Sequence, residues 1–468
     1  EYQARAHQHA IEMFGKTQVF RAGTIGTLAE KTAFGMVKKY LEERGESAGN
    51  AELDRLTLGC VGVRRTTGQH PGGLVVVPDD MDVEDFTAVQ HPADDPDSDT
   101  VTTHFEYHCM EDNLLKLDML GHDDPTMIRM LEDLTGVNAR AIPLDDPDTM
   151  SIFTSSKVLG FENDEILGPT GAVAIPEFNT RFTRGMLMDT MPKDFNTLVR
   201  LSGFSHGTDV WLGNARDLIV GGTASVLETV GCRDDIMLYL ISMGLDPKMS
   251  FKIMEAVRKG KVKKGGFQEG WEEAMREHQV PDWYIGSLAK IGYLFPKAHA
   301  VAYVMMAFRI AWFKVHEPLA FYATFFSIRA KAFDAEYCCA GMDAVKQKIR
   351  EIENNKDATD VEQNLLVTLE VCYEFYLRGF HFDTISIYDS DATHFKVTEN
   401  GLLPPFVTVR GLGETAALDT VEKRQGKTFV SVEEFATTCN KLSKTHIEQL
   451  KALGAFAGMA DTSQVALF

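Results

Sequence analysis

No two cysteines in these 468 residues are spaced as Cys-x-x-Cys; the seven stand scattered at 60, 109, 232, 338, 339, 372 and 439. Neither a zinc knuckle nor a disulfide framework is supported, and the expectation is a reducing, cytoplasmic setting. No window reads as a signal peptide or an uninterrupted apolar membrane span, so no membrane partner is expected. Internal repeats and low-complexity tracts are also missing. So is any excess of basic charge: the formal net charge is −21, which taken alone argues against a nucleic-acid partner. The acidity is uneven, however. Nine carboxylates and no lysine or arginine lie between Asp79 and Asp99, whereas "VRKGKVKKGG" at 257–266 is basic. An acidic protein with one basic channel stays open.

What is present is ordinary for a globular protein: 44% apolar and 25% charged residues, in a chain too long for one core. Two or three domains are expected, with regions at 1–150, 151–330 and 331–468. The first mixes helix and strand. "EYQARAHQHAIEMFG" reads as a helix, and "TIGTLAEKTAFGMVKKYLEERG" as a longer one. In the latter Thr27 and Glu30 have capping-box spacing, and a glycine follows the last turn. Strands are expected at "GGLVVVP", "TVTTHFEYH" and "LLKLDMLG". The second region is mostly helical and ends in an apolar helix from Lys297, where Ala300, Tyr303, Val304, Ala307, Phe308, Ala311 and Trp312 keep helical spacing until Pro318. The acidic segments 92–99 and 143–148 read as loops.

Several stretches carry chemistry, each beside a blander reading. In "LLKLDMLGHDDP", Leu115, Leu117 and Met119 point one way along a strand while Lys116 and Asp118 share the other face. "VRRTTGQHPGG" places Arg64, Arg65 and His70 before a double glycine, which suits phosphate and equally suits a solvated turn. Arg233, Arg258, Lys259, Lys297 and His299 fall on helices or helix ends, where cations suit a polyphosphate but are more often a solvated face. "RGLGETAA" turns through Gly411 and Gly413 into a helix whose first N–H groups can face a phosphate, with Arg410 and Lys423 nearby. The chain closes on "SQVALF", either a docking peptide or a packed terminus.

Taken in order, "RRTTGQHPGG", "THFEYH", "NLLKLDMLGHDDPT", "GAVAIPEFNTRF", "SGFSHGTDVWLGNA", "GCRDDIMLYL", "FPKAHAVAYVMMAFRIAWFKVH", "RGLGETAA" and "QVALF" closely resemble the C-family replicative DNA polymerases of bacteria, within them the PolC branch. The resemblance implies an α+β, mostly helical fold. Residues 1–150 are then the later part of a polymerase beta-like mixed-sheet palm, 151–330 the fingers, and 331–468 a duplex- and clamp-binding domain with a helix-hairpin-helix. It implies primer extension with dNTPs by two-metal phosphoryl transfer. Lys116 and Asp118 match the family's Lys-x-Asp segment, whose aspartate is the third magnesium ligand of two shared ions. Arg233, Arg258, Lys259, Lys297 and His299 are implied to face the incoming nucleotide. Arg64, Arg65, His70, Arg410, Gly411, Gly413 and Lys423 are implied to contact primer-template DNA, and Gln464, Leu467 and Phe468 to dock on the sliding clamp among other replisome subunits.

There are departures from the pattern. The family's Asp-x-Asp pair and triphosphate loop are expected ahead of Glu1, so the chain is expected to be the C-terminal part of such an enzyme and inactive by itself. Glu106 stands in place of an aspartate, and "QVALF" differs from Gln-Leu-x-Leu-Phe at its second residue. The alternative reading is a non-catalytic DNA- and clamp-binding module.

Overall fold

Strand β1 (Val19–Thr27) shows local propensity yielding to pairing. The capping-box spacing of Thr27 and Glu30 predicts a helix from the threonine. In the computed structural model, which describes residues 2–92, 97, 98 and 100–462, Thr24, Ile25, Gly26 and Thr27 instead pair antiparallel with Gly68, Thr67, Thr66 and Arg64 of β2 (Arg64–Val76). The helix starts only at Glu30, after Ala29, with no side-chain cap. A strand ladder satisfies the backbone groups of a whole segment, whereas a cap satisfies one or two donors. The same ladder turns "RRTTGQHP" into strand where a turn was expected. The helix does stop where expected, on Gly45 at φ 67°.

The chain forms two compact units, Glu1–His122 and Asp123–Phe468. In the first, β3 (Val89–Gln90), β4 (Thr102–Glu106) and β5 (Leu115–Asp118) complete a mixed sheet of order β3-β4-β1-β2-β5. β1 runs parallel to β4 and antiparallel to β2. Strands β1 and β4 meet at Gly23, whose amide donates to Thr103 Oγ1 at 2.8 Å. A Cβ there would lie 1.9 Å from the Thr103 carbonyl oxygen, so only glycine fits. One sheet face buries Val19 and Leu74 against Ala10 of helix Gln3–Phe14, with Leu117 and Met119 packed against them. The other buries Ala22, Val75, Val77, Val83, Met110 and Leu114. Helices Glu30–Arg44 and Asn50–Cys60 form the excursion between β1 and β2.

The second unit is built around helix Lys297–His316, twenty residues and therefore about 30 Å long. By length and composition alone it could cross a membrane. In the fold it is a core helix, with Ala300, Val304, Ala307, Phe308, Ile310, Ala311 and Phe313 all buried. The unit already begins with helix Asp123–Thr135, which buries Met127 and Leu131 in that core, so residue 150 falls inside it. A separate core gathers Ala335, Ile385, Phe406, Ala417, Phe435 and Leu450 near the C-terminal end. The α+β, mostly helical class holds across the described residues.

Candidate functional site

Strand β5 is the last in its sheet, and its register sets the candidate site: Asp118 lies opposite Gly73 and Lys116 opposite Val75. Alternation therefore places Lys116 and Asp118 on one face and Leu117 and Met119 on the other, as the sequence pattern predicts. Leu115 points with the latter pair but stays 57% exposed at the strand's open end. Lys116 Nζ sits 3.2 Å from Asp118 Oδ2 and 5.0 Å from the Tyr107 ring centroid. The lysine side chain is mostly covered while the carboxylate is about half exposed. His70 Nδ1 is 3.6 Å from Asp118 Oδ1, beyond hydrogen-bond range, because that nitrogen accepts from the Gly72 amide at 3.2 Å. Gly73 lies under the same imidazole, leaving no space there for a side chain.

Asp118 is thus a rigidly placed, accessible carboxylate with one lysine partner. A magnesium ion prefers six oxygen ligands. Among the described residues no three His, Cys, Asp or Glu side chains converge on a common point. Glu106, on β4, is three strand spacings from β5, roughly 14 Å, and cannot share an ion with Asp118. The described residues offer one ligand and do not by themselves form a two-metal site.

The strand end is braced from behind. Gln3 Nε2 donates to the Pro71 and Met119 carbonyls at 2.9 and 2.6 Å. His7 bridges Arg21, through Nδ1, and the Met119 carbonyl, through Nε2 at 3.2 Å. Burial, then the Arg21 charge, hold His7 below its ordinary pKa of 6.5. The brace is complete above that value and weakens as pH falls through the lowered one. Arg64 and Arg65 lie elsewhere: Arg64 is nine strand positions from Gly73, roughly 30 Å, and both arginines are exposed. The fold does not bring them to Asp118; His70 it does.

Five expected nucleotide-facing residues gather along the segment 292–299 of the second unit. Arg233 opens helix Arg233–Ser242, and its amide donates to the Phe295 carbonyl at 3.0 Å. The Lys297 amide donates to Asp234 Oδ2 at 2.8 Å, and Lys297 Nζ lies 3.5 Å from Asp235. Arg258 and Lys259 end helix Pro247–Arg258, where the Arg258 carbonyl accepts from Leu294 N. Both cations share Glu255, with Lys259 at 3.1 Å. His299 stacks on Tyr303 at 4.1 Å and meets the edge of Phe295 at 4.3 Å.

Two residues given no role in the sequence reading adjoin this end of the helix. Glu177 has a left-handed backbone (φ 69°) and a nearly buried side chain paired with His206 Nε2. The His206 ring stacks on Phe295 at 5.0 Å. The hydrogen bond to Glu177 raises the His206 pKa against the effect of burial. Burial works to raise Glu177, but the His206 bond and charge outweigh it and the net shift is downward. The histidine's share of the pairing is complete below its ordinary 6.5 and is lost as pH climbs through the raised value. The available signal was a carboxylate and a histidine set within two otherwise apolar or small-residue motifs.

At the C-terminal core, Gly411 takes φ 76° and Gly413 caps helix Glu414–Lys423. The cations beside them are engaged: Arg410 binds Asp334 at 2.8 Å over the Tyr337 ring, and Lys423 binds Asn440 at 2.6 Å and Asp419 at 3.0 Å. Gln464, Leu467 and Phe468 lie outside the described residues.

Three family models match the chain in order: the bacterial DNA polymerase III alpha NTPase domain at 39–121, the alpha subunit finger domain at 124–279, and a helix-hairpin-helix motif at 379–465. Asp118 falls in the first, Arg233, Arg258 and Lys259 in the second, and Gly411 and Gly413 in the third. Among curated relatives, the PolC-type DNA polymerases III of Caldanaerobacter subterraneus, Halalkalibacterium halodurans and Bacillus subtilis are 55%, 52% and 50% identical over the whole of this chain. The chain spans about a third of their length (33%, 32% and 32%). Over all of its residues the chain is similar to that third of the PolC-type DNA polymerases III.

Proposed function

We propose that the chain is the palm-end, fingers and duplex-binding part of a replicative DNA-directed DNA polymerase that extends a primer with dNTPs. The observation that carries this is 55% identity across all of its residues to a PolC-type enzyme, with Lys116 and the half-exposed Asp118 held on one strand face. Asp118 supplies one carboxylate toward magnesium, the remaining ligands coming from outside the described residues. The bound metal supplies charge stabilisation of phosphoryl transfer. Lys116, on the same face, holds the aspartate in place and offers its charge to phosphate oxygens. Arg233, Arg258, Lys259, Lys297 and His299 form the surface facing the nucleotide. Segment 331–468 grips duplex DNA, and Gln464, Leu467 and Phe468 engage the sliding clamp.

The purified 468-residue chain is expected to bind primer-template but to incorporate no nucleotide, because the described residues bring one carboxylate to the proposed site, too few for two-metal chemistry. Filter binding and single-nucleotide extension on the same preparation check this; templated incorporation by the chain alone contradicts the ligand count. Binding is expected to fall steeply with salt, with little preference for sequence.

Gly413→Val tests the hairpin grip. Nothing lies within 4 Å of a Cβ at Gly413 and its φ is −75°, so the fold accepts the side chain. A phosphate seated on the amides of that turn is pushed away. Duplex affinity is expected to drop equally for all sequences with the melting temperature little changed, by anisotropy and calorimetry. A loss confined to particular sequences contradicts backbone gripping.

A further inference from the structure

We infer that Glu177 and His206 are a positioning pair that sets the nucleotide-facing end of helix Lys297–His316 through the Phe295 ring. The inference rests on the proposed role of Lys297 and His299 at that end.

Glu177 is unusual on three counts. Its backbone is left-handed, as is that of Ala174 three residues before it, and non-glycine residues hold that conformation only where the surroundings enforce it. The enforcement is visible. The Ala174 amide donates to Asn179 Oδ1 at 2.6 Å, and the buried Lys314 ammonium takes the carbonyls of Gly171 and Val173. The carboxylate so aimed is nearly buried and accepts from His206 Nε2 and, at 3.4 Å, from Ser202 Oγ. The positive charge of Arg329, itself bound to Asp124 at 2.6 Å, also helps to lower the Glu177 pKa.

The pair's effect runs in one direction. His206 lies flat against Phe295, with an interplanar angle of 19° at 5.0 Å. Phe295 presents its edge to His299 at 4.3 Å, and His299 stacks on Tyr303, one turn on, at 4.1 Å. The Phe295 carbonyl accepts the Arg233 amide, and Lys297 follows two residues later. Rotation of the imidazole away from Glu177 would free the ring that stacks on Phe295 from helix Phe195–His206.

The test is made in the complete polymerase that contains this chain, reading nucleotide KM and kcat together with primed-DNA affinity. Glu177→Ala is expected to raise the nucleotide KM roughly ten- to hundredfold, the scale of a small misplacement of binding groups. Primed-DNA affinity is expected to stay unchanged. Glu177→Gln is expected to recover most of the loss, since its amide oxygen still accepts from His206 Nε2–H. His206→Ala is expected to match Glu177→Ala, with the double variant no worse than either single. Lys297→Ala separates the two readings. If Lys297→Ala raises KM while Glu177→Ala and His206→Ala do not, the positioning pair is overturned and the nucleotide surface stands. If all three leave KM unchanged, the nucleotide surface fails and the inference fails with it. Should Glu177→Ala not fold, His206→Leu, which keeps apolar bulk against Phe295, gives the same reading: an unchanged KM overturns the pair.

Discussion

Asp118→Asn in the complete polymerase is expected to reduce primer extension by at least 10²–10³-fold, the scale of one lost electrostatic contact at a reacting centre. The substitution is nearly isosteric, so the β5 register opposite Gly73 survives and Leu117 and Met119 keep their packing. What changes is charge. Lys116 loses its 3.2 Å partner, and the amide is a far poorer ligand for a hard cation than a carboxylate. Primed-DNA affinity is expected to stay within a few-fold, because the proposed duplex grip lies in segment 331–468 and His70 makes no hydrogen bond to Asp118. Single-turnover extension beside equilibrium DNA binding measures both quantities. Extension at near-normal rate would remove Asp118 from the metal site, and lost DNA binding would point to a folding defect.

Lys314→Met is expected to destabilise the second unit by about 3–5 kcal/mol, the cost of leaving one member of a buried ion pair behind. Lys314 and Glu374 are both 0% exposed and lie 2.7 Å apart. Tyr322 donates to the same carboxylate at 2.6 Å, and Arg378 donates to the Tyr322 hydroxyl and the Lys314 carbonyl. Burial draws the Lys314 pKa down to about 8, with the Glu374 charge opposing the shift. With methionine in place, Glu374 has no counter-charge in contact, and the Gly171 and Val173 carbonyls lose their donor. Denaturant unfolding of the 468-residue chain measures the loss. Lys314→Met with Glu374→Leu is expected to recover a large part of it, since an apolar pair removes the stranded charge. A single variant as stable as the parent would show that water or a neighbour replaces the ammonium.

The two predictions differ in how far sequence alone supports them. Asp118 was legible: an alternating pattern with Lys116 and Asp118 on one face survives in the fold, because a strand's two-residue period depends only on local geometry. Lys314 was not legible. It sits within an apolar helix whose spacing is plain in the sequence, yet nothing in "AWFKVH" says that its partner comes from helix Asp360–Leu377. Arg233, Arg258, Lys259, Lys297 and His299 fall between these cases. Their residue types suggested phosphate, but only the fold shows Arg258 and Lys259 sharing Glu255 and Lys297 beside Asp235. Arg410 and Lys423, expected to be free for DNA, are likewise bound to Asp334 and Asp419.

By itself the sequence determined the features that depend on short range: the apolar stripe of helix Lys297–His316, the stop at Gly45, the faces of residues 115–119, and the motif order behind the resemblance. Tertiary structure decided whatever needed a distant partner. It made residues 24–27 strand, because β2 offered a full ladder where Thr27 and Glu30 offered only a cap. It buried Lys314, because Glu374 and two carbonyls were there to receive its charge. It joined Glu177 to His206, because a left-handed turn held by Lys314 and Asn179 aims that carboxylate inward. Each of these choices turns on desolvation and long-range pairing, which local propensity does not encode.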